Sequence, residues 1–484
     1  MKDAEEDNME RNYEPYISGL MERSRKAQAV LNEYSQEQVD ELVKAIAFYG
    51  TRPDFMRAVA EKTVEESGMG DVEDKIAKIW NKTIGHYREM KDEKSVGLIE
   101  FDKEKNVAKY AKPMGVIGAL APVTNAENTA VVKPMNAIKG RNSIILAPHP
   151  KAAHVNEFVI DYLRKVLKKF GAPEDLIIGI EPEYVSIDCS GELMKQCDFI
   201  LATGGAGLVK AAYSSGTPAI GVGTGNDAIY VDGTTDLEEV AAMVKSSKCF
   251  DNATSCSTEN VMLIQKECYD DFVKALQNHN GFLIKEGSEE KEQLRKTMWP
   301  DWPATHNLNR HIVAQPLKKI TELAGLTVDD DTEFLFVEEN DGIGHDHPFT
   351  GEKLSRVTTL IKTDSFEDAM EKMEAVMDYM GKGHGCGIHT SDDSKVETMA
   401  LRMPVARMMV NQPQGAGNSG SWENGMPMTM TLGCGTWGNN SVSHNVNWKD
   451  LINITHVSRK LPLNIPKEED MFGADYIKEH SEAL

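Results

Sequence analysis

From Gly115 onward the chain repeats one pattern, a short apolar run, a turn and an amphipathic helix. "GVIGALAP" (115–122) reads as a buried strand, "NTAVVKPMNAIKG" (128–140) as a helix ended by Gly140, "NSIILAP" (142–148) as a strand, and "KAAHVNEFVIDYLRKVLKKFG" (151–171) as a long amphipathic helix. "LIIGI", "YVSIDC", "DFILATGG" and "PAIGVG" follow as further short apolar runs. Strands apolar on both faces must be covered on both faces, so the alternation predicts a parallel sheet between two helix layers, with a ligand at the carboxyl ends of the strands. A second alternating unit begins near Asp236 with the helix "DLEEVAAMVKSSK", the strand "NVMLIQ" and the helix "ECYDDFVKALQNH", and later includes "FEDAMEKMEAVMDYMG". The expected class is α/β: a parallel sheet of the kind that binds nucleotides, followed by a second α/β domain.

The segment before this alternation is helical in style. "SQEQVDELVKAIAFYG" pairs Ser35 with Gln38 as a capping box and stops at Gly50. "SVGLIEFDKEKNVAKYAKP" (95–113) then reads as two strands about a charged turn, a hairpin able to project from the body.

A net charge of -23 and a pI near 5.1 disfavour nucleic acid and anionic membranes as partners, which leaves a small molecule as the expected one. The amino terminus is charged, and no run approaches the roughly 18–20 apolar residues that span a bilayer. Seven scattered cysteines without a CxxC pair suit a reduced, cytoplasmic setting.

Two cysteines lie in "SSKCFDNATSCSTENV" (246–261). Cys249 sits on a helix next to Phe250, so it reads as core. Cys256 lies in a polar turn among Asn252, Thr254, Ser255, Ser257 and Thr258, where a thiolate has access to substrate, and is the candidate nucleophile. Thr203, Gly204 and Gly205 stand where a strand turns into a helix; they either present bare amides to a phosphate or simply allow a tight turn, the full G-x-G-x-x-G spacing being absent. His345, His347, His384 and His389 lie in glycine-rich loops without a carboxylate partner that would complete a ligand set, so no metal is expected, and His384 is a candidate for an active-site loop. The glycine-rich "NQPQGAGNSGSWENGMP" (411–427) reads as a loop at a site.

"PVTNAENTA", "LAPHPKA", "LATGGAGLVKAAYSSGTPAIGVGTGN", "FDNATSC", "HPFTGEKLS" and "TLGCGTWGNNS", in that order over nearly the whole chain, resemble the CoA-acylating branch of the aldehyde dehydrogenase superfamily. The resemblance implies an aldehyde dehydrogenase-like fold: a Rossmann-type dinucleotide-binding domain over 1–239 with an oligomerisation hairpin at 96–112, a catalytic cysteine domain over 240–424, and a return to the cofactor domain over 425–484 that ends in an oligomerisation strand. It places Cys256 as nucleophile and Asn125, with the Cys256 N–H, as the oxyanion hole. Gly204 falls at the pyrophosphate and nicotinamide turn, Pro148 and His149 on the adenosine side, and Glu352 at the nicotinamide ribose. Thr124, Lys151, Thr203, Gly205 and Gly223 complete the expected cofactor contacts.

Hydrolytic relatives carry a glutamate that activates water, and its place falls on Gly221, so the resemblance implies that CoA takes the acyl group instead. The cofactor is NADP or NAD, since Pro150 and Lys151 occupy the place where an acid would select NAD. The segment 402–435 is similar to acylating sulfoacetaldehyde dehydrogenases. Within it Arg402, Arg407, Gln412, Gln414, Asn418 and Ser419 add donors; either they line an anion-accepting pocket, Arg407, Asn418 and Ser419 with His384 first among them, or the arginines are charges on a helix surface. Sulfoacetaldehyde is the favoured substrate; an acetaldehyde- or propanal-type acylating enzyme and a hydrolytic aldehyde dehydrogenase are the alternatives. A homo-oligomer, dimer or tetramer, is expected.

Overall fold

A computed structural model describes residues 12–482; residues 1–11 and 483–484, at the outer ends of the expected first and last segments, lie outside it. The charged hairpin forms as β1 (Gly97–Asp102) and β2 (Val107–Pro113). Five parallel strands follow: β3 (Val116–Leu120), β4 (Ser143–Ala147), β5 (Ile177–Gly179), β6 (Phe199–Thr203) and β7 (Ala219–Val222), in the order β5-β4-β3-β6-β7. Alternate strand residues face opposite layers, as the two-residue period requires. Ile117, Ala119, Ile144, Leu146 and Leu201 pack against helices Gln36–Gly50, Pro53–Ser67 and Ala126–Lys139. Val116, Leu120, Ile145 and Ile200 pack against helices Glu14–Asn32 and Ile187–Gln196.

A seven-stranded parallel sheet is built from β8 (Ala228–Val231), β9 (Val261–Gln265), β10 (Gly281–Ile284), β11 (Phe334–Glu338), β12 (Val357–Thr363), β13 (Cys386–His389) and β14 (Met408–Val410), in the order β10-β11-β12-β9-β8-β13-β14. Finally β15 (Ile452–Ser458) pairs antiparallel with β2, Ile454 opposite Ala111.

Three expectations change. The passage between sheets comes between Val222 and Ala228, not at 239/240, because β8 hydrogen-bonds to β9 and β13. "YVSIDC" is not a strand: Ser186 caps a helix at Ile187 by accepting the Cys189 N–H. The carboxyl-terminal strand, expected to seek a neighbouring subunit, pairs with the hairpin of its own chain, leaving β1 and β15 as the edges of a three-stranded sheet.

Candidate active site

The order of the five-stranded sheet reverses beside β3, where β4 and β5 extend one way and β6 and β7 the other. Loops leaving β3 and β6 therefore diverge and open a crevice. A cavity of about 640 Å³ fills it, lined by Thr124, Asn125, Thr203, Gly204 and Gly205 on this side. Beneath it the buried Lys133 ammonium ties the strand ends together, donating to the carbonyls of Leu120 (2.8 Å) and Leu201 (3.1 Å). The opposite wall comes from segments just before β8, β9 and β12, which carry Gly223, Cys256 and Glu352. The site thus lies between the carboxyl ends of one sheet and the amino ends of the other.

Cys256 lines this cavity, its sulfur 3.1 Å from His384 Nε2; His384 Nδ1 donates to Asp227 Oδ1 at 2.7 Å. His384 and Asp227 are fully buried. Burial opposes a charge on His384, yet Asp227 first and Cys256 second hold its pKa well above the usual histidine range. An imidazolium beside a cysteine is the setting in which the sulfur reacts as thiolate. Two glycines make the approach possible: a Cβ on Gly225 would stand 2.3 Å from the Cys256 carbonyl oxygen, and one on Gly385 would stand 2.7 Å from Asp227 Oδ2. Cys249 is kept away, its thiol pushed up to about 11 by burial.

The turn before Cys256 is unusual. Asp251, Asn252 and Ala253 all adopt positive φ (49°, 52°, 59°), a left-handed region that non-glycine residues occupy only when other contacts hold them there. The holding contacts are visible. The Asp251 carboxylate takes Lys75 at 3.1 Å and the Lys78 ammonium in a short ion pair, and the Asn252 amide donates to the Gly70 carbonyl at 2.9 Å while accepting from Arg356 at 2.8 Å. Lys78 also donates to Asn125 Oδ1 at 2.9 Å. That contact fixes the amide's orientation, leaving Nδ2 as the donor end; one of its hydrogens goes to Thr124 Oγ1 at 3.3 Å, and the second is available. Asn125 precedes helix Ala126–Lys139 without capping it through its side chain, and among the described residues no acceptor takes the Cys256 N–H. Both donors of an oxyanion hole are therefore available.

Glu352 is the single carboxylate among the described residues lining the cavity. It accepts the Gly225 N–H at 3.3 Å, and burial pushes its pKa up to about 8, with His384 pulling the other way. Gly221 does not face the cavity: a side chain there would meet Val209 Cγ1 at 2.7 Å and the Tyr213 ring. Val222 and Gly223 line the cavity instead, and neither is acidic.

The donor-rich segment is mostly spent elsewhere. Arg407 is buried outside the cavity lining, donating to the His384 carbonyl at 2.7 Å and to that of Gly433. Asn418 is also outside the lining; it donates to Asp227 Oδ2 at 3.0 Å and so supports the histidine's partner. Arg402 pairs with Glu367 and Glu374 on the surface, and Gln412 accepts from Asn424. Ser419 alone of the three substrate candidates on this segment lines the cavity. Of the cofactor candidates, His149 lines it while Pro148 and Lys151 do not. His345 contacts His306 at 3.2 Å and His347 contacts Glu339 at 3.0 Å; among the described residues no cluster is arranged to hold a metal.

Sequence reading missed Asp227, Asp251, Lys78 and Lys82. The lysines had a signal: Lys75, Lys78 and Lys82 recur at spacings of three and four, which puts all three on one face of helix Val72–Met90. Lys75 and Lys78 are buried there, at 0% and 8% exposure.

Residues 21–294 match the aldehyde dehydrogenase family. The chain is 42% identical to a sulfoacetaldehyde dehydrogenase of Acholeplasma sp, over 96% of this chain and 94% of that one. It is 40% identical to an acylating sulfoacetaldehyde dehydrogenase of Bilophila wadsworthia, over 96% and 99% of the two chains. Its fold superposes on an acetylating aldehyde dehydrogenase of Geobacillus thermoglucosidasius with a TM-score of 0.88 at 33% identity, covering 94% and 98%. With a cavity-lining cysteine backed by histidine and aspartate, an asparagine amide oriented by Lys78 in the same cavity and a crevice at the switch point of a parallel sheet, this chain belongs to the aldehyde dehydrogenase family, in its CoA-acylating branch.

Proposed function

We propose that the protein oxidises sulfoacetaldehyde and delivers the acyl group to CoA as sulfoacetyl-CoA, reversibly. The observation that supports the acyl transfer is the cavity wall: Cys256 is accompanied by His384, the stretch Val222–Gly223 that follows Gly221 into the lining carries no carboxylate, and Glu352 is held against the Gly225 N–H. Sulfoacetaldehyde is favoured over acetaldehyde by the two relatives of 40% and 42% identity, each named for that substrate.

The crevice fits a nicotinamide dinucleotide, NADP or NAD. Gly204 and Gly205 open the helix Ala206–Ser214 at the sheet's switch point, and Glu352 and His149 line the same cavity. When bound, the nicotinamide supplies the hydride acceptor. The rest is work for this chain's residues. Asp227 holds His384 with Nε2 toward the sulfur, and Cys256 attacks the carbonyl carbon. Asn125 and the Cys256 N–H take the developing negative charge on oxygen, a contribution worth ~10²–10³ in rate per donor. After oxidation a thioester remains on Cys256; with the thiolate consumed, the His384 imidazolium releases its proton to solvent, and the neutral ring is placed to take the proton from an incoming CoA thiol. Attack by CoA breaks the Cys256 thioester, frees the acyl-CoA and restores the thiolate.

Three further assignments belong to this reading. The open edges β1 and β15, with Leu98, Phe101 and Ile454 exposed, support a homo-oligomer. Seven scattered cysteines without a CxxC pair support a reducing, cytoplasmic setting. Among the described residues no helix is long and apolar enough to cross a membrane. The test is rapid mixing with sulfoacetaldehyde and cofactor. Without CoA the expected product is one burst of reduced cofactor equal to the active sites, and CoA restores steady turnover; steady CoA-independent carboxylate formation would refute the acyl-transfer reading.

A further inference from the structure

We infer that Lys82 and Ser419 form the anion-receiving end of the aldehyde pocket, where the sulfonate of the substrate docks. The inference rests on the sulfoacetaldehyde reading for the identity of the anion. It starts from charge balance along helix Val72–Met90. Lys75 and Lys78 are neutralised by Glu127 and Asp251. Lys82, one turn further on, has no such partner: its ammonium donates to the Ser419 carbonyl (3.0 Å), the Ser419 hydroxyl oxygen (2.7 Å) and the Gly420 carbonyl (2.9 Å), and among the described residues no carboxylate lies within ion-pair distance. These neutral acceptors, with the Met428 sulfur at 3.8 Å, solvate the cation without cancelling its charge. Burial, with Lys78 adding repulsion and Glu89 opposing both from beyond ion-pair distance, lowers its pKa to about 7, the cost of burying a cation without a contacting counter-ion. An anion delivered beside it offsets that cost.

Position agrees with charge. Lys78 touches Asn125, which marks where the aldehyde oxygen sits. Residues four apart on a helix face are about 5–6 Å apart, so Lys82 stands one short step beyond the reacting carbonyl, within reach of the far end of a two-carbon aldehyde. Lys82, Ser419, Asn125 and Cys256 all line the same cavity. Because Ser419 Oγ accepts from Lys82, its own hydrogen is left to donate to a sulfonate oxygen. The wall beyond is fixed: Trp422 donates to Asn81 at 2.9 Å, and Arg88 lies 4.7 Å over the Trp422 ring. Arg407, the cation that the sequence suggested for this task, is buried against carbonyls outside the cavity lining.

The test compares sulfoacetaldehyde with methylsulfonylacetaldehyde, in which a methyl replaces one charged oxygen, using the full-length enzyme with cofactor and CoA. In the Lys82→Met variant the preference for the sulfonate over the sulfone, as the ratio of kcat/KM, is expected to fall roughly ten- to a hundredfold, chiefly through KM. Lys82→Arg retains most of the preference, and Ser419→Ala loses roughly three- to tenfold. Isethionate, as a competitive inhibitor against the sulfone, provides a readout that needs no turnover of a charged substrate: its Ki rises in Lys82→Met by the same factor. An unchanged ratio and an unchanged isethionate Ki in Lys82→Met overturn the inference. A wild type without preference for the sulfonate overturns the sulfoacetaldehyde reading instead, and the isethionate Ki then decides alone whether Lys82 binds anions. If Lys82→Met does not fold, judged by melting and gel filtration, Ser419→Ala decides: a preference equal to wild type overturns the inference.

Discussion

Replacing Asp227 by asparagine separates what its carboxylate does from the space it fills. Both oxygens accept hydrogen bonds, Oδ1 from His384 Nδ1 at 2.7 Å and Oδ2 from Asn418 Nδ2 at 3.0 Å. Asparagine offers one acceptor and one donor to two positions that both require an acceptor. If its amide NH₂ faces Asn418, two donors meet, and Asn418 cannot turn over without losing its bonds to the Gln414 carbonyl and side chain at 3.0 and 2.8 Å. If the NH₂ faces His384, Nδ1 must accept, the ring proton moves to Nε2, and the imidazole can only donate toward the sulfur. It then cannot take a proton from Cys256 or from CoA. Loss of a positioned base costs ~10²–10⁴ in rate, and the mismatched buried donor costs about 1–3 kcal/mol of stability. The assay is stopped-flow formation of reduced cofactor with and without CoA, alongside melting. Asp227→Asn is expected to lose at least a hundredfold in kcat while remaining folded. Asp227→Ala, which offers no donor, tests the cause: if it is as slow as Asp227→Asn, lost charge rather than the wrong tautomer carries the effect. An Asp227→Asn variant within threefold of the wild-type kcat would refute the base role of His384.

Other expectations are simpler. Cys256→Ser abolishes aldehyde oxidation but leaves cofactor binding, measured by fluorescence titration, whereas Cys249→Ala keeps most activity; the opposite pattern would move the nucleophile. Asn125→Ala lowers kcat by ~10²–10³ with a smaller effect on cofactor affinity, and an unchanged kcat would remove Asn125 from the oxyanion hole. His389 is buried with both ring nitrogens unpaired, and burial lowers its pKa to about 4 from 6.5. The unfolded chain therefore binds a proton between pH 6.5 and 4 that the folded chain refuses. Stability present at neutral pH is lost as pH falls through that window, by about 3 kcal/mol. Chemical denaturation across this range should show a flatter slope in His389→Leu than in wild type, and equal slopes would contradict the burial argument.

Much of this protein is decided by local chemistry that sequence displays. Alternating apolar runs and capped helices specify strands covered on both faces, so the α/β class, β3, β4, β6 and β7, and the Ser35 capping box follow from residues close together in the chain. Cys256 stands out for the same reason, since a polar turn between a helix and a strand is a local property. The partners of that turn are not local. Asp227 precedes β8 and His384 precedes β13, 157 positions apart, and only the parallel pairing of those strands brings their amino ends together beside Cys256. Likewise Lys78 reaches Asp251 across 173 positions, and that contact helps hold a backbone conformation no propensity would favour. The direction of a side chain is equally a tertiary matter: Arg407 and Ser419 lie in one donor-rich segment, yet the first is consumed by carbonyls of the fold and the second opens into the cavity. Residue type and spacing determine which groups can do chemistry, but packing of sheets and loops decides which of them face one another, because it is set by contacts between segments distant in the chain.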